Sequence, residues 1–304
     1  MPKKKTLFLV AIIVILIVTV PLLAVLQERS ALADGDVQPQ IISVWQIDGF
    51  EGGRGSRSQY LQNIGDKCFK DSKTYVTVTA ISADAARLNL EQGNMPDVIS
   101  YSAGFYGIAS LVNKKDFAYK SWCRGGYCFL TLDESSDFSD IAAENTVINA
   151  GKDNLSEVAA ALCGVGGAQA EEPTNAYLKL LSGKYKYLLG TQRDVFRLKT
   201  RNETFAVKPV TQFNDLYQNI SILTNNNSKY DLCKRFVDYL LENGNTAKLG
   251  LFSDNNKDIE EELKPLCGVE YELLLNYPCK KEYIEELRNA ARSGAVNKIK
   301  NLLK

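Results

Sequence analysis

Ile41-Ile42-Ser43-Val44-Trp45 and, two residues on, Asp48-Gly49-Phe50-Glu51-Gly52-Gly53-Arg54-Gly55-Ser56 decide the fold of this chain. The first stretch is short, apolar and β-branched, so it reads as a strand; the glycines that follow break it. From Arg57 onward Tyr60, Leu61, Ile64 and Phe69 recur at helical spacing, and residues 75–80 then alternate as a second strand. This is a βαβ unit. Ser82 is placed to cap a helix that stops at Gly93, with Leu88 and Leu90 supplying its apolar surface. Pro96-Asp97-Val98-Ile99-Ser100 turns into a third strand, and Tyr101-Ser102-Ala103-Gly104-Phe105-Tyr106-Gly107 leaves it. Repeated strand-helix units predict a parallel sheet, which places a ligand outside the carboxyl ends of its strands.

The second half repeats the plan. Thr146-Val147-Ile148-Asn149 reads as a strand leaving the first lobe, 156–163 as an alanine-rich helix and 175–181 as another. Residues 185–189 form a buried strand whose carboxyl end delivers Gly190-Thr191-Gln192-Arg193. Residues 204–210 and 218–223 read as strands returning to the first lobe. Leu232, Phe236, Val237, Leu240 and Leu241 mark an amphipathic helix ended by Gly244, and Ile284, Leu287, Ala291, Ile299 and Leu303 a terminal helical region. Several crossings of this kind make a hinge.

Composition narrows the chemistry. The 304 residues carry 36 Lys plus Arg against 36 Asp plus Glu, with no basic stripe of the kind phosphate backbones require, so no nucleic-acid partner is expected. Histidine is absent, which removes Ser-His-Asp and Cys-His nucleophilic sites and His-liganded zinc. No catalytic residue, metal or cofactor is assigned. A length of roughly 270 residues beyond the leader is enough for two lobes with their own cores.

Lys3, Lys4 and Lys5 precede an apolar run over 7–26 and then Gln27-Glu28-Arg29, an order that sends the following chain outward. The run is long enough to span a bilayer as a retained anchor, while Ala31-Leu32-Ala33 fits a cleaved signal. Residues 1–33 are therefore a signal or anchor segment, and the body is extracytoplasmic in either case. All seven cysteines, Cys68, Cys123, Cys128, Cys163, Cys233, Cys267 and Cys279, lie in the exported part. Cys123 with Cys128, and Cys267 with Cys279, either close local disulfide loops or are small buried hydrophobes.

The Gly-rich loop satisfies neither the dinucleotide fingerprint nor the phosphate-cradling loop, leaving a simple chain turn or a ligand-contacting segment. Three blocks go further: Ile42-Ser43-Val44-Trp45-Gln46-Ile47-Asp48-Gly49-Phe50-Glu51-Gly52-Gly53, Gln92-Gly93-Asn94-Met95-Pro96-Asp97-Val98-Ile99-Ser100, and Gly183-Lys184-Tyr185-Lys186-Tyr187-Leu188-Leu189-Gly190-Thr191-Gln192-Arg193-Asp194. Together and in this order they resemble the family 1 extracellular solute-binding proteins of the maltose-binding type. The resemblance covers 41–252. It implies a two-lobed periplasmic-binding-protein-like fold of type II, with mixed, mostly parallel sheets flanked by helices. The first lobe is expected over 40–140 plus 208–255, and a shortened second lobe over 145–205 plus 258–304. It further implies a monomer that captures a small molecule, a sugar, and hands it to ABC transporter permease subunits. The shortened second lobe means that part of the sugar-gripping surface is missing or replaced.

A sugar offers hydroxyl pairs and apolar ring faces, so the strand-end loops should supply amides, carboxylates, guanidinium groups and flat aromatics. The residues expected there are Trp45, Gln46, Asp48 and Glu51 on the first loop, Tyr101 and Tyr106 on the third, and Gln192 and Arg193 from the second lobe, with Trp122 and Tyr217 in reserve. Trp45 and Trp122 also read as buried anchors, Arg193 as one half of an interlobe ion pair, and Asp97 as a turn and capping residue. A sensor feeding a membrane signalling protein, a cell-surface structural module and an exported carboxylate glycosidase are the competing readings.

Overall fold

The computed structural model describes residues 39–49, 55–102, 104–106, 108, 110–116, 120–151, 154–253, 269–273 and 280–304. The leader 1–33 lies outside them, as do Glu51, Cys267 and Cys279. Among the described residues no helix is long and apolar enough to cross a membrane. The chain groups into two units, Met1–Gln40 with Asp71–Thr74, and Ile41–Lys70 with Tyr75–Lys304. In the first, the Gln40 N–H donates to the Lys73 carbonyl at 2.9 Å. The second carries the architecture that follows.

The amino-terminal strands are β1 (Gln40–Gln46), β2 (Thr74–Ala80) and β3 (Val98–Ser102), joined through helices α1 (Arg57–Cys68) and α2 (Ala83–Glu91). Ser82 and Gly93 behave as the sequence predicts, and Ser56 supplies a cap that was not expected. Ser56 caps α1 by accepting from the Gln59 N–H, Ser82 caps α2 by accepting from the Ala85 N–H, and Gly93 ends that turn at φ 79°. In β1, Ile42, Val44 and Gln46 are buried while Ser43 and Trp45 are half-buried, the alternation of a pleated strand.

Next come β4 (Lys120–Arg124) and β5 (Tyr127–Thr131), neither expected from the sequence, then β6 (Thr146–Asn149), α3 (Ser156–Leu162), β7 (Gln169–Glu171), α4 (Pro173–Leu181) and β8 (Tyr187–Thr191). A further unexpected helix, α5 (Gln192–Thr200), leads to β9 (Ala206–Pro209), β10 (Phe213–Asn214), β11 (Tyr217–Ile222) and α6 (Asn227–Asn243). β12 (Tyr271–Glu272), α7 (Lys281–Arg292) and α8 (Val296–Leu302) close the chain.

Two mixed five-stranded sheets result, in the orders β2-β1-β3-β11-β4 and β7-β6-β8-β5-β9, with β10 and β12 as a separate parallel pair. β3 runs parallel to β1, and β8 parallel to β6. Each sheet then takes in one antiparallel strand from another part of the chain: β11 lies between β3 and β4, and β5 between β8 and β9. β5, within the 40–140 stretch expected in the first lobe, thus pairs in the second sheet, as does β9.

Apolar layers cover both faces of each sheet. One continuous core packs Ile42, Val44 and Val98 with Leu61 and Ile64 of α1 and Phe236 and Val237 of α6, and extends to Leu189 of β8, Val158 of α3 and Leu287 of α7. Behind the first sheet, Ile47, Ile99 and Tyr101 pack with Ala86 of α2. Behind the second, Leu130, Val147 and Leu188 pack with Leu180 of α4 and Val195 and Leu198 of α5. Burial of each such side chain contributes about 1.5–3 kcal/mol, an upper figure because the unfolded chain is not fully extended.

The chain passes between the sheets at Gly125-Gly126 and again over 210–216. The two passages are tied together: the Gly125 N–H donates to the Leu216 carbonyl at 2.7 Å, and Asn214 Nδ2 to the Gly125 carbonyl at 2.9 Å. Arg124 and Phe252 add a reciprocal pair of backbone bonds, both 2.8 Å.

Cys123 and Cys128 carry free thiols, so the disulfide alternative for this pair is overturned. Cys123 on β4 belongs to the shared core, and Cys128 on β5 to the layer behind the second sheet. Burial pushes the thiols of Cys123 and Cys233 up to about 12. Both are therefore expected to resist maleimide at pH 7.5 until the protein unfolds, with mass spectrometry reading the sites. Labelling of either at the rate of an exposed thiol would contradict this packing.

Candidate functional site

The carboxyl ends of β1, β3 and β8 each present a buried polar side chain with spare hydrogen-bonding capacity. Gln46 ends β1 at 1% exposure; its Nε2 donates to Asp48 Oδ1 at 3.0 Å, and its Oε1 has no partner in the protein. Ser102 ends β3, with its Oγ likewise unpartnered. The Gly49 backbone lies directly against it: a Cβ on Gly49 would sit 1.8 Å from Ser102 Cβ, so only glycine permits this approach.

Gln192 follows β8 as the first residue of α5, and it is wholly buried. Its Oε1 accepts from the Gly126 N–H at 3.0 Å, its own N–H donates to the Gly126 carbonyl at 3.2 Å, and its Nε2 has no partner. Gly125 makes room for that amide, because a Cβ there would come within 2.8 Å of both Gln192 Oε1 and Nε2. Thr191 Oγ1 and Asp194 form the capping box of α5, which fixes where Gln192 stands. Asp194 is fully buried, and burial raises its carboxyl above the usual range against bonds from the Thr191 N–H, Arg197 and Asn149. An unpartnered buried polar atom costs on the order of 1–3 kcal/mol, a penalty that a bound polar group would remove.

A polar chain supports this end of the first sheet. Arg57, 4% exposed at the start of α1, holds Asp48 Oδ1 through its Nε at 2.7 Å and donates from Nη1 to Gln218 Oε1 at 3.3 Å. Gln218 Nε2 donates to the Ile47 carbonyl at 2.8 Å and to Ser100 Oγ at 3.1 Å, and Ser100 Oγ also accepts from Trp122 Nε1 at 2.9 Å. The Trp122 ring stacks on Tyr60, with centroids 5.7 Å apart and planes 7° from parallel. The guanidinium is thus held by a carboxylate and an amide as a fixed scaffold.

The expected residues divide between site and core. Gln46 and Asp48 are bonded to each other, and Gln192 follows β8, which borders the antiparallel strand β5 in the second sheet as β3 borders β11 in the first. Trp122 is 2% exposed and joins the network as a buried anchor. Tyr101 lies in the layer behind the first sheet, with its hydroxyl 3.1 Å from Ser221 Oγ. Successive strand residues point to opposite faces, so the position that places Tyr101 there turns Ser100 and Ser102 to the other side. Trp45 packs partly buried against that same layer, and Tyr106 lies under the Arg87 guanidinium, 4.8 Å from its ring centroid. Tyr217 is buried in the shared core, and the Arg193 N–H donates to Thr191 Oγ1 at 3.3 Å. Asp97 is a structural clamp: it accepts from the Ser43 N–H and hydroxyl and pairs with Lys229 at 2.8 Å.

Sequence reasoning missed Arg57, Ser100, Ser102 and Gln218. Period-two alternation beside Tyr101 could have found the serines. Arg57 and Gln218 are joined only across 161 positions of sequence. Among the described residues no group of three Cys, Asp or Glu side chains gathers to hold a metal. What the arrangement offers is hydrogen bonding by amides, a hydroxyl and a carboxylate already held by arginine.

The sequence matches no protein-family model and no curated protein. Solved structures match it in fold. The Atu4243-GABA receptor superposes with a TM-score of 0.55 at 11% identity, over 84% of this chain and 97% of that one. The spermidine/putrescine ABC transporter substrate-binding protein PotD from Streptococcus pneumoniae gives 0.54 at 8%, over 85% and 99%. The GacH receptor of Streptomyces glaucescens, whose structures include a complex with acarbose, gives 0.53 at 13%, over 87% and 98%. The chain therefore has the fold of the periplasmic-binding-protein-like solute receptors.

Proposed function

We propose that this chain is the extracytoplasmic solute-binding component of an ABC import system. It captures a small polar ligand, a carbohydrate, between a lobe built on the first sheet and one built on the second, and delivers it to permease subunits. The observation that carries this reading is the presence of Gln46 Oε1, Ser102 Oγ and Gln192 Nε2 as buried, unpartnered groups at strand carboxyl ends of both sheets. That is where α/β sheets bind ligands, and amide and hydroxyl groups suit a polyhydroxylated guest. The resemblance to family 1 solute-binding proteins and the solute receptors that share the fold support it further. The leader 1–33 holds the protein at the membrane or is removed on export, and the body acts as a monomer through lobe closure rather than bond chemistry.

Thermal-shift screening of the purified full chain in detergent, against oligosaccharides, polyols and amino acids, tests the reading. A ligand that binds only the folded form raises the midpoint by mass action. Gln46→Ala and Gln192→Ala are each expected to weaken the hit roughly tenfold or more, the order of one buried hydrogen bond to a ligand. A hit untouched by both variants removes the site, and a broad library without any hit removes the function.

A further inference from the structure

Both passages between the sheets meet at one carboxyl group outside the candidate site. Asp215 lies in the second passage at 2% exposure. Its Oδ1 accepts from the hydroxyl of Tyr127, the residue that enters β5 from the first passage, at 2.7 Å. Its Oδ2 accepts from the Leu155 N–H, at the amino end of α3, also at 2.7 Å. On either side of it, Asn214 and Leu216 are bonded to Gly125. One side chain therefore fastens both passages and the entry to a helix of the second sheet.

We propose that Asp215 is a proton-operated clasp. With its carboxyl protonated it holds the two passages and α3 together, and on losing that proton it becomes a buried charge that favours their separation.

The bonding permits this. When Oδ1 carries the proton, the Tyr127 hydroxyl turns to accept from it while the Leu155 N–H keeps Oδ2, so both contacts persist and the buried charge is gone, at the cost of the acceptor that the Tyr127 O–H had in Asp215. The titratable and charged groups bearing on Asp215 are Tyr127 on β5 and Arg288 on α7. On α3, Glu157 is held by Arg292 at 3.4 Å, and β10 contributes uncharged Phe213 and Asn214. Burial outweighs the two donors and the field of Arg288, pushing Asp215 up to about 6 from an ordinary 3.8.

The sign follows from linkage. The closed arrangement binds the proton more tightly than an opened, hydrated one, so it is strengthened as pH falls from about 6 toward 4. That strengthening is lost as pH rises through about 6. A displacement of this size corresponds to roughly a hundredfold in the opening equilibrium at its limit. Asp194 is raised in the same direction, whereas Asp137, Asp140 and Glu171 are lowered by their hydrogen bonds and oppose it further into acid. Substituting Asp215 isolates its part.

Amide hydrogen exchange of the ligand-free full chain in detergent tests the clasp, read at Gly125 and Leu155 between pH 7.5 and 4.5 and corrected for intrinsic chemistry. Opening should fall tenfold or more across this range in the wild type. In Asp215→Asn, whose amide can make both bonds without charge, it should stay at the acid level throughout. Parallel profiles in the two proteins, or opening that increases in acid, overturn the proposal. Should the variant not fold, the carboxyl carbon shift of Asp215 in the wild type decides: a midpoint near 6 upholds the clasp, and one near 3.8 ends it. No ligand enters the measurement, so it stands or falls separately from the solute-binding reading.

Discussion

Trp122→Ala is expected to lower the unfolding free energy by about 3–5 kcal/mol, the range for removing a buried tryptophan. The ring is 2% exposed, is stacked face to face on Tyr60, and gives its indole N–H to Ser100. Its loss opens a cavity in the shared core and leaves Ser100 Oγ with Gln218 as its remaining donor. Trp122→Phe retains much of the ring volume and should cost far less, chiefly about 1 kcal/mol for the missing hydrogen bond. Urea unfolding of the three proteins makes the comparison. If the alanine variant unfolds within 1 kcal/mol of wild type, Trp122 is not the anchor described.

The second large effect is expected at Asp194. Its carboxylate accepts from the Thr191 N–H at 3.1 Å, from Asn149 Nδ2 at 2.9 Å and from Arg197 Nη1 at 3.1 Å, while itself fully buried. Asp194→Ala deprives three donors at once and should cost about 3–5 kcal/mol, as breaking a buried charge pair does. Because Asp194 caps the helix that begins with Gln192, the damage should also reach the candidate site. Denaturant unfolding with and without the thermal-shift hit separates the two effects. An Asp194→Ala protein of wild-type stability would refute the role of this cap in placing Gln192.

Features fixed by neighbours along the chain were legible in the sequence. Ser82 and Gly93 announced helix ends, and Ile42 and Val44 announced a core strand, because capping and period-two burial are local. α5 escaped notice because its stretch is strongly polar, although Thr191 and Asp194 carried a capping signal three residues apart. β4 and β5 were hidden by the glycine pair between them. Their assignment to different sheets rests on pairing with β11 and β8, which no local periodicity encodes. The same limit governed the site. Gln46, Asp48 and Gln192 sat at strand ends that could be read directly, whereas Ser102, Arg57 and Gln218 gain their roles from partners brought in by the fold.

The place of β11 in the first sheet has a consequence for how the protein is made. Ribosomes deliver β1 to β4 early, yet β4 borders only β11 in that sheet, and β11 spans Tyr217–Ile222. Until more than two thirds of the polypeptide has been synthesised, the first sheet cannot be completed, and its unfinished edge keeps the nascent chain open. Strand order alone therefore sets the earliest moment at which this sheet can close.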